Sequence, residues 1–115
     1  MTRLVLWARN MNIVGKRMDW NDAMKWANNL NYGGYSDWRL PTWDELASFA
    51  KWGRNQASKW FNQNGFDNVQ TDYYWSGTTY SGNTNYAWSV NMKSGDMVDV
   101  RKTSGYYVWP VRNSR

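Results

Sequence analysis

The run from Gly33 to Leu46 constrains the fold more than any other stretch of this chain, because it has the pattern of a junction between two helices. Its two adjacent glycines tolerate the positive φ angles that end a helix and turn the chain. Pro41 then holds the residue before it in an extended conformation. Thr42 and Glu45 have the spacing of a capping box, in which each side chain bonds the other residue's backbone amide. The run therefore predicts one helix that ends at the glycines and a second that begins after Thr42.

The residues between the glycines and Pro41 alternate in character along an extended segment. Asp37 and Arg39 point to one face of such a segment, and Trp38 points to the other. We therefore expect a local ion pair between Asp37 and Arg39 beside a buried Trp38. A structural role, tying the two helices together, is expected for Asp37, Trp38, Arg39, Thr42 and Glu45.

The first half of the chain has helical patterns after one short strand. Residues 3–8 alternate weakly between apolar and polar types, which predicts an opening strand. Asp19 is a suitable N-cap for a first helix that runs to about Leu30, with small and apolar residues along one stripe. The second helix is expected to end near residue 52, and residues 55–61 to add a helical turn.

From residue 72 onward, aromatic and β-branched residues alternate between clusters of turn residues, which is typical of strands. The pattern predicts strands at residues 73–79, 86–92, 97–102 and 106–112, with a hairpin turn between the second and third. Helices followed by an antiparallel sheet indicate an α+β fold. A chain of 115 residues is long enough for one domain, which we expect to span residues 1–115.

Three blocks of the sequence resemble the Lcl C-terminal domain family, named for the C-terminal domain of the Legionella collagen-like adhesin. The first block, residues 33–46, is similar to the family signature G-G-x-x-D-W-R-L-P-T-x-x-E-L. Residues 73–80 resemble its Y-Y-W-S-S-T block, and residues 85–95 resemble its A-W-x-V-x-F-x-x-G hairpin. The resemblance, which covers about residues 18–112, implies a C-type-lectin-like fold. In that fold two N-terminal helices pack on a C-terminal antiparallel β-sheet, and the first and last strands are paired.

The chain departs from the family pattern in its cysteines. Family members often carry one in the first helix and another in the closing strand, but Ala27 stands at the first place and this chain has no cysteine at all. The usual disulfide of the family is therefore not expected, and the compartment is not identified by the sequence. The resemblance alone implies a cell surface or a virion surface.

The aromatic residues are mostly amphipathic, with 10 Trp and 8 Tyr against 3 Phe. Such residues serve equally in cores and in binding surfaces. The net charge of +5 would suit a polyanion, but acidic residues are interleaved with the basic ones and no nucleic-acid-binding motif accompanies them. We therefore predict no specific nucleic-acid binding. No apolar run approaches the length of a bilayer, so membrane insertion is not predicted either.

The sequence is poorly equipped for catalysis. Without His or Cys it lacks an ordinary catalytic triad, a thiolate nucleophile and a Cys/His zinc site. Asp96 and Asp99 flank a predicted hairpin turn, and the acidic residues of the second helix suit its N-terminal dipole. The W-N-D triplet at residues 20–22 matches one of calcium-dependent lectins, but it begins a helix and offers too few oxygen ligands. We expect no enzymatic activity, no cofactor, no metal and no dependence on calcium.

The polar and aromatic side chains of the C-terminal half remain as candidates for binding. They resemble an antibody paratope, in which rigid aromatics supply contact area and Asn or Ser supplies adaptable hydrogen bonds. About half of these residues are expected to pack instead of binding. The predicted ligand-binding residues are Tyr73, Tyr80, Asn83, Asn85, Tyr86, Asn91, Asp99, Arg101, Tyr106 and Tyr107.

These patterns predict a non-enzymatic receptor or adhesin domain that binds a protein or a glycan. The lectin-like fold is also used by the variable proteins of diversity-generating retroelements, whose late strands carry Asn, Tyr, Ser and Asp, so we favour a retroelement-diversified protein. The basic charge and the resemblance to an adhesin favour a fixed-specificity glycan-binding adhesin instead. A third alternative is a structural or oligomerisation module, whose aromatic patch is buried between copies of the chain.

Overall fold

A computed structural model of the chain describes residues 5–10, 13–50, 66, 70 and 72–113. β1 and β5 form one antiparallel sheet, and β2, β3 and β4 form a second antiparallel sheet in that order. The predicted α+β architecture and the pairing of the first and last strands are therefore confirmed. The elements, in chain order, are β1 (Val5–Trp7), α1 (Trp20–Asn28), α2 (Trp43–Ala50), β2 (Tyr73–Thr79), β3 (Tyr86–Asn91), β4 (Met97–Arg101) and β5 (Val111–Asn113).

Both helices begin at the capping residues expected from the sequence. The side chain of Asp19 accepts a hydrogen bond from the amide of Asp22 at 2.8 Å and so caps α1. At α2 the amide of Glu45 donates to Thr42 Oγ1 at 3.2 Å, and the amide of Thr42 donates to Glu45 Oε1 at 2.9 Å. The capping box is therefore complete, and both predicted helix starts are confirmed.

The end of the first helix differs from the prediction. α1 ends at residue 28, and the side chain of Asn29 donates to a carbonyl of its last turn at 2.8 Å. Gly33 and Gly34 have φ angles of 63° and 84°, but they form the two-residue turn of a small hairpin. Tyr32 and Tyr35 exchange backbone hydrogen bonds across this turn. The prediction that the glycines end the helix is wrong, because their positive φ angles serve a hairpin a few residues later.

The expected ion pair between Asp37 and Arg39 does not form, because each residue binds a more distant partner. Arg39 donates to both carboxylate oxygens of Glu45 at 2.8 Å. Asp37 accepts from Nε and Nη2 of Arg112 at 2.7 and 3.1 Å. Both pairs are two-pronged, and in each the partner comes from a different element of the fold. The segment around the buried Trp38 is thereby fixed to α2 and β5.

The strands of the larger sheet match their predictions to within one residue, whereas the last strand does not. β2 coincides with its prediction, and β3 and β4 each end one residue early. The closing strand is confined to Val111–Asn113, since Tyr106 and Tyr107 make only isolated bridges. Pro110, which has no N–H to donate, separates the two parts.

Parts of three predicted elements lie outside the described residues. These are the start of the first strand at residues 3–4, the end of the second helix near residue 52 and the helical turn at 55–61. Among the residues that the structure does describe, no helix has the length and apolar character needed to cross a bilayer.

Two buried clusters pack on opposite faces of the β2–β3–β4 sheet. Tyr74 belongs to one cluster and Trp75 to the other, as expected for consecutive residues of a strand. Leu46 of α2 is fully buried in the first cluster. Ala23 and Ala27 of α1 are fully buried in the second, where their small side chains allow the helix to approach the sheet closely.

A bulge in β2, at residues 75–79, joins both helices to this sheet. Ser76 Oγ donates to a β3 carbonyl at 2.6 Å, which replaces a bond of the regular ladder. The indole of Trp20, at the start of α1, donates to the carbonyl of Ser76 at 3.0 Å. The hydroxyl of Thr78 accepts from the amide of Trp43, at the start of α2, at 2.8 Å. The bulge thus fixes where each helix begins relative to the strands.

The ion pair at the start of α2 gives the domain a testable pH dependence. Hydrogen bonding to Arg39, followed by the bond from the amide of Thr42, lowers the pKa of Glu45 from its ordinary value of 4.5. A lowered pKa in the folded state stabilises the fold at neutral pH, and this contribution is lost as the pH falls below about 4.5. We predict that Glu45→Gln lowers the free energy of unfolding at neutral pH by about 1–2 kcal/mol.

Urea unfolding at several pH values measures the effect. Stability of Glu45→Gln should decline less steeply than that of the wild type below pH 4.5. Asp44→Asn is the matched control, because Asp44 is an exposed acidic residue in the same helical turn. Parallel pH profiles for the wild type and Glu45→Gln would contradict the prediction.

Candidate functional site

One face of the β2–β3–β4 sheet is only partly covered by α2, and its open part carries aromatic and charged side chains. Tyr86 and Trp88 are alternate residues of β3, so their side chains emerge on the same face. Arg101 stands opposite Tyr86 on β4, and Asp99 stands opposite Trp88. The ring of Tyr80 packs edge-on with Trp88, the centroids being 5.4 Å apart. We call these five residues the outer face.

Contacts within and beside the outer face fix the orientation of its rings. Trp88 also meets the ring of Trp43, the first residue of α2, at a centroid distance of 6.0 Å. The guanidinium of Arg101 lies 5.6 Å from the ring centroid of Tyr86, within the range of a cation–π contact. Asp99 and Arg101 are exposed, and Tyr86 is half-buried. Side chains held in place in this way lose little conformational freedom when a ligand binds.

The loop between β2 and β3 determines where Tyr80 lies. A Cβ placed on Gly82 would be 2.7 Å from two ring carbons of Tyr80 and 2.8 Å from its hydroxyl. The ring therefore rests directly against the backbone of residue 82. The amide of Tyr80 donates to the carbonyl of Tyr86 at 2.9 Å, and Asn83 Oδ1 accepts from the amide of Asn85 at 3.0 Å. These bonds make the loop a defined turn that is built on an Asx motif.

The family model of the Lcl C-terminal domain matches residues 2–112. The chain belongs to this family. The match extends the resemblance of the three sequence blocks to both sheets, both helices and the outer face. Membership suggests a ligand-binding, adhesin-like domain and does not name the ligand. No curated protein sequence matches the chain.

The structure of this Lcl C-terminal domain divides the predicted ligand-binding residues into two groups. The first group lies on the outer face or in the loop beside it, where strand pairing and the turn bring the side chains together. It consists of Tyr80, Asn83, Asn85, Tyr86, Asp99 and Arg101. The second group lies elsewhere on the domain and consists of Tyr73, Asn91, Tyr106 and Tyr107.

The second group makes the contacts of packing and turn formation. The ring centroid of Tyr106 is 4.9 Å from that of Tyr73 and 5.2 Å from that of the buried Trp75. Tyr107 packs against the first buried cluster. Asn91 Oδ1 accepts from the backbone amide two residues ahead at 2.9 Å, which shapes the turn after β3. The structure therefore does not bring these four residues to the outer face.

Trp88 and Trp43 belong with the outer face although no prediction places them there. The position of Trp88 could be inferred from its alternation with Tyr86 along one strand. Trp43 has no such signal, because the bond that holds its amide to Thr78 on the bulge joins residues 35 positions apart. Among the described residues, the Trp43 Nε1 is the buried side-chain polar atom that has no hydrogen-bond partner. Such a donor costs about 1–3 kcal/mol.

The outer face has the chemistry of a binding surface. Its rings offer apolar area, Arg101 offers N–H donors and Asp99 offers carboxylate acceptors. The two charged side chains are both exposed, so they are available to groups of opposite charge. In the described part of the chain, no cluster of three or more Asp, Glu, His or Cys side chains is placed to hold a metal ion.

A separate concavity of about 470 Å³ lies between α1 and the start of α2. Arg39 and Glu45 in its wall are bonded to each other, and Thr42 caps α2. Since these polar groups already serve the fold, we do not assign a ligand to it. Its lining residues are Met24, Asn28, Arg39, Leu40, Thr42, Glu45 and Gly77.

The contact between Gly82 and Tyr80 predicts how the outer face responds to a small change in the loop. The added methyl group of Gly82→Ala must displace the ring of Tyr80, whose nearest atoms are at 2.7 Å. We expect unfolding free energy to change by less than about 1 kcal/mol, since the displaced ring end lies in a surface loop.

The NMR shifts of the Tyr80 ring should change, because it moves relative to the ring of Trp88. Ser81→Ala is the control, since Ser81 is an exposed neighbour in the same turn. Unchanged Tyr80 shifts in Gly82→Ala would show that the ring does not depend on residue 82.

Proposed function

We propose that this Lcl C-terminal domain is a non-enzymatic binding module of the C-type-lectin-like type, and that it holds a protein ligand on its outer face. The observation that carries the proposal is the convergence of Tyr80, Tyr86, Trp88 and Arg101 on the open part of one sheet face. Trp, Tyr and Arg are the residue types that contribute most binding energy at protein interfaces.

The way these side chains are held supports the proposal. The ring of Trp88 is braced by Tyr80 and Trp43, and Tyr86 is braced by Arg101. A ligand that covers them buries aromatic area without first having to order it. Asp99 and Arg101 stand two residues apart on β4 with opposite charges, so they favour a ligand with complementary charges and oppose one with the reverse order.

A glycan is the second candidate ligand. Planar polar side chains beside aromatic rings can bond sugar hydroxyls while a ring packs on the apolar face of the sugar, and the net charge of +5 favours an acidic glycan. The exposed carboxylate of Asp99 on the outer face opposes an anionic ligand. We therefore rank a protein ligand first.

Retroelement diversification is a proposal about how the outer face acquires its specificity. Side chains can vary without disturbing the buried clusters at exposed positions such as Asn85, Asp99 and Arg101. Tyr106 and Tyr107 pack against buried rings, so we propose that variation is concentrated in residues 80–101. The test is the DNA downstream of the gene. A near-copy of this segment that differs at adenines, next to a reverse transcriptase gene, supports diversification, and its absence refutes it.

Ligand screening with matched variants tests the binding function. The labelled chain is screened against arrays of extracellular proteins and of neutral and sulfated glycans. For the ligand found, we expect Tyr86→Ala and Arg101→Ala each to weaken binding by about tenfold or more, as for interface hot spots. Lys25→Ala on the exposed side of α1 should leave the affinity unchanged.

Two results would overturn the proposed function. One is a ligand whose affinity is insensitive to both outer-face variants, provided that circular dichroism shows them to be folded. The other is a stable oligomer in sedimentation that buries Tyr80 and Tyr86, because the outer face is then consumed between copies of the chain.

A further inference from the structure

The two edges of the β2–β3–β4 sheet differ in how they are used. On the β2 edge, the outward amide of Trp75 donates to the carbonyl of Tyr107 at 3.0 Å. Further along the same edge, the amide of Gly77 donates to the carbonyl of Pro41 at 2.7 Å. The chain itself therefore covers the β2 edge.

The register of β4 identifies the backbone groups at the other edge. Just outside the two ends of β4, the carbonyl of Asp96 accepts from the amide of Asn91 at 2.8 Å, and the amide of Lys102 donates to the carbonyl of Asn85 at 2.9 Å. Since backbone groups alternate in direction along a strand, the even-numbered residues of β4 face β3. The N–H and C=O groups of Met97, Asp99 and Arg101 therefore point away from the sheet. An outward row of this kind is a template for pairing with another strand.

The outward groups of β4 are open in the part of the chain that the structure describes. Neither the N–H nor the C=O of Met97 or Asp99 has a hydrogen-bond partner there. The carbonyl of Arg101 accepts from the amide of Ser104 at 3.0 Å, within the turn that follows the strand. A carbonyl oxygen has a second lone pair, so this bond does not prevent pairing.

We propose that the open edge of β4 receives an extended segment of the protein ligand as a fourth strand of the sheet. This is binding by β-augmentation, in which main-chain bonds supply affinity and alternate side chains supply specificity. The inference rests on the proposed function and names the part of the ligand that binds. The outward-facing residues of β4 include Asp99 and Arg101, so the added strand extends the outer face.

The side chains of β4 specify the sequence of the segment. In an antiparallel added strand, the residues opposite Arg101, Asp99 and Met97 lie on the outer face at every second position. Counted from the N-terminus of the added strand, charge complementarity requires an acidic residue opposite Arg101 and then a basic residue opposite Asp99. An apolar residue follows, because Met97 is partly buried against the first cluster. The two positions in between lie on the opposite face beside Val98 and Val100, where β-branched residues fit.

A second copy of the chain fits this edge less well. Two β4 strands paired antiparallel over their full length place Asp99 opposite the same aspartate of the second copy. Like charges directly across a strand pair are destabilising. A register shifted by two residues removes the repulsion, but only residues 99–101 then overlap. The charges therefore oppose self-pairing over the full length of β4, and the register in which they agree is short, whereas a complementary ligand can pair along the whole edge.

A synthetic peptide tests the inference on the full chain. The probe is a labelled peptide with the core Glu-Val-Lys-Val-Leu between serine and glycine flanks. On binding, NMR hydrogen exchange at the outward amides of Met97, Asp99 and Arg101 should slow by about tenfold or more. Exchange at the amides of Val98 and Val100, which already face β3, should change little.

Two N-methylated peptides form the matched controls. Methylation of the Glu, Lys and Leu amides, which face β4 in the proposed pairing, should abolish binding. Methylation of the two Val amides, which face away from β4, should preserve it. Equal binding of the two methylated peptides would overturn the proposal, as would protection of the outward amides in the free chain.

Exchange of the two charges on β4 tests the sequence preference. The double variant Asp99→Arg with Arg101→Asp should favour the core Lys-Val-Glu-Val-Leu, and the wild type should favour the original core, each by about fivefold. Circular dichroism establishes that the variant is folded. An unchanged preference overturns the proposal, and so does self-association of the chain through β4 in sedimentation.

The outcomes separate this inference from the function on which it rests. If no peptide binds, but a ligand from the arrays depends on Tyr86 and Arg101, the proposed function stands and strand addition is wrong. If no ligand depends on the outer face, both proposals fail.

Discussion

The bulge in β2 is the interaction on which the rest of the structure depends. It presents one backbone group and one side-chain group to the helices. The indole of Trp20 donates to the carbonyl of Ser76, and the amide of Trp43 donates to the hydroxyl of Thr78. Ser76 Oγ donates to the carbonyl of Trp88 and so replaces a backbone hydrogen bond of the regular ladder. Because Trp43 is held there, its ring reaches Trp88. The irregularity that anchors the helices therefore also shapes the outer face.

The indole N–H groups distinguish the structural tryptophans from those at the outer face. Each of four indoles donates to a backbone carbonyl at 2.6–3.1 Å, so a large ring is buried without an unsatisfied donor. Three of these bonds join residues more than fifty positions apart, which staples the small domain together without a disulfide. Within the described part of the chain, the indole N–H of Trp43 has no such bond. The four bonded residues are Trp20, Trp38, Trp75 and Trp109.

Local chemistry explains which features of the fold could be predicted from sequence. The caps at Asp19 and Thr42 were predictable because the partners of each cap lie within three residues of each other. Strands β2 to β4 were predictable because their residues alternate in character and turn residues mark their ends. The partner of Asp37 is Arg112, 75 residues away, and no local pattern reveals it. The division of the candidate site into two groups depends on the strand register and on the bulge. Neither is encoded in the spacing of tyrosines and asparagines.

The sheet edges show where this domain can change its surface at little cost. Tyr107 and Pro41 close the β2 edge, and Arg39 closes the β5 edge by exchanging two backbone bonds with Val111 at 2.8 Å. These closing segments also carry the ion pair to Glu45 and the rings of the buried clusters, so a substitution there disturbs the core. Within the described residues, no segment covers the outer edge of β4, and few side chains of this strand are buried. Its exposed Asp99 and Arg101 oppose full-length pairing with a second copy of the strand, and in the proposed strand addition the same charges favour a complementary strand. The same two residues therefore serve both protection against aggregation and specificity for a ligand. Because they lie away from the core, specificity can change at this edge while the core is preserved.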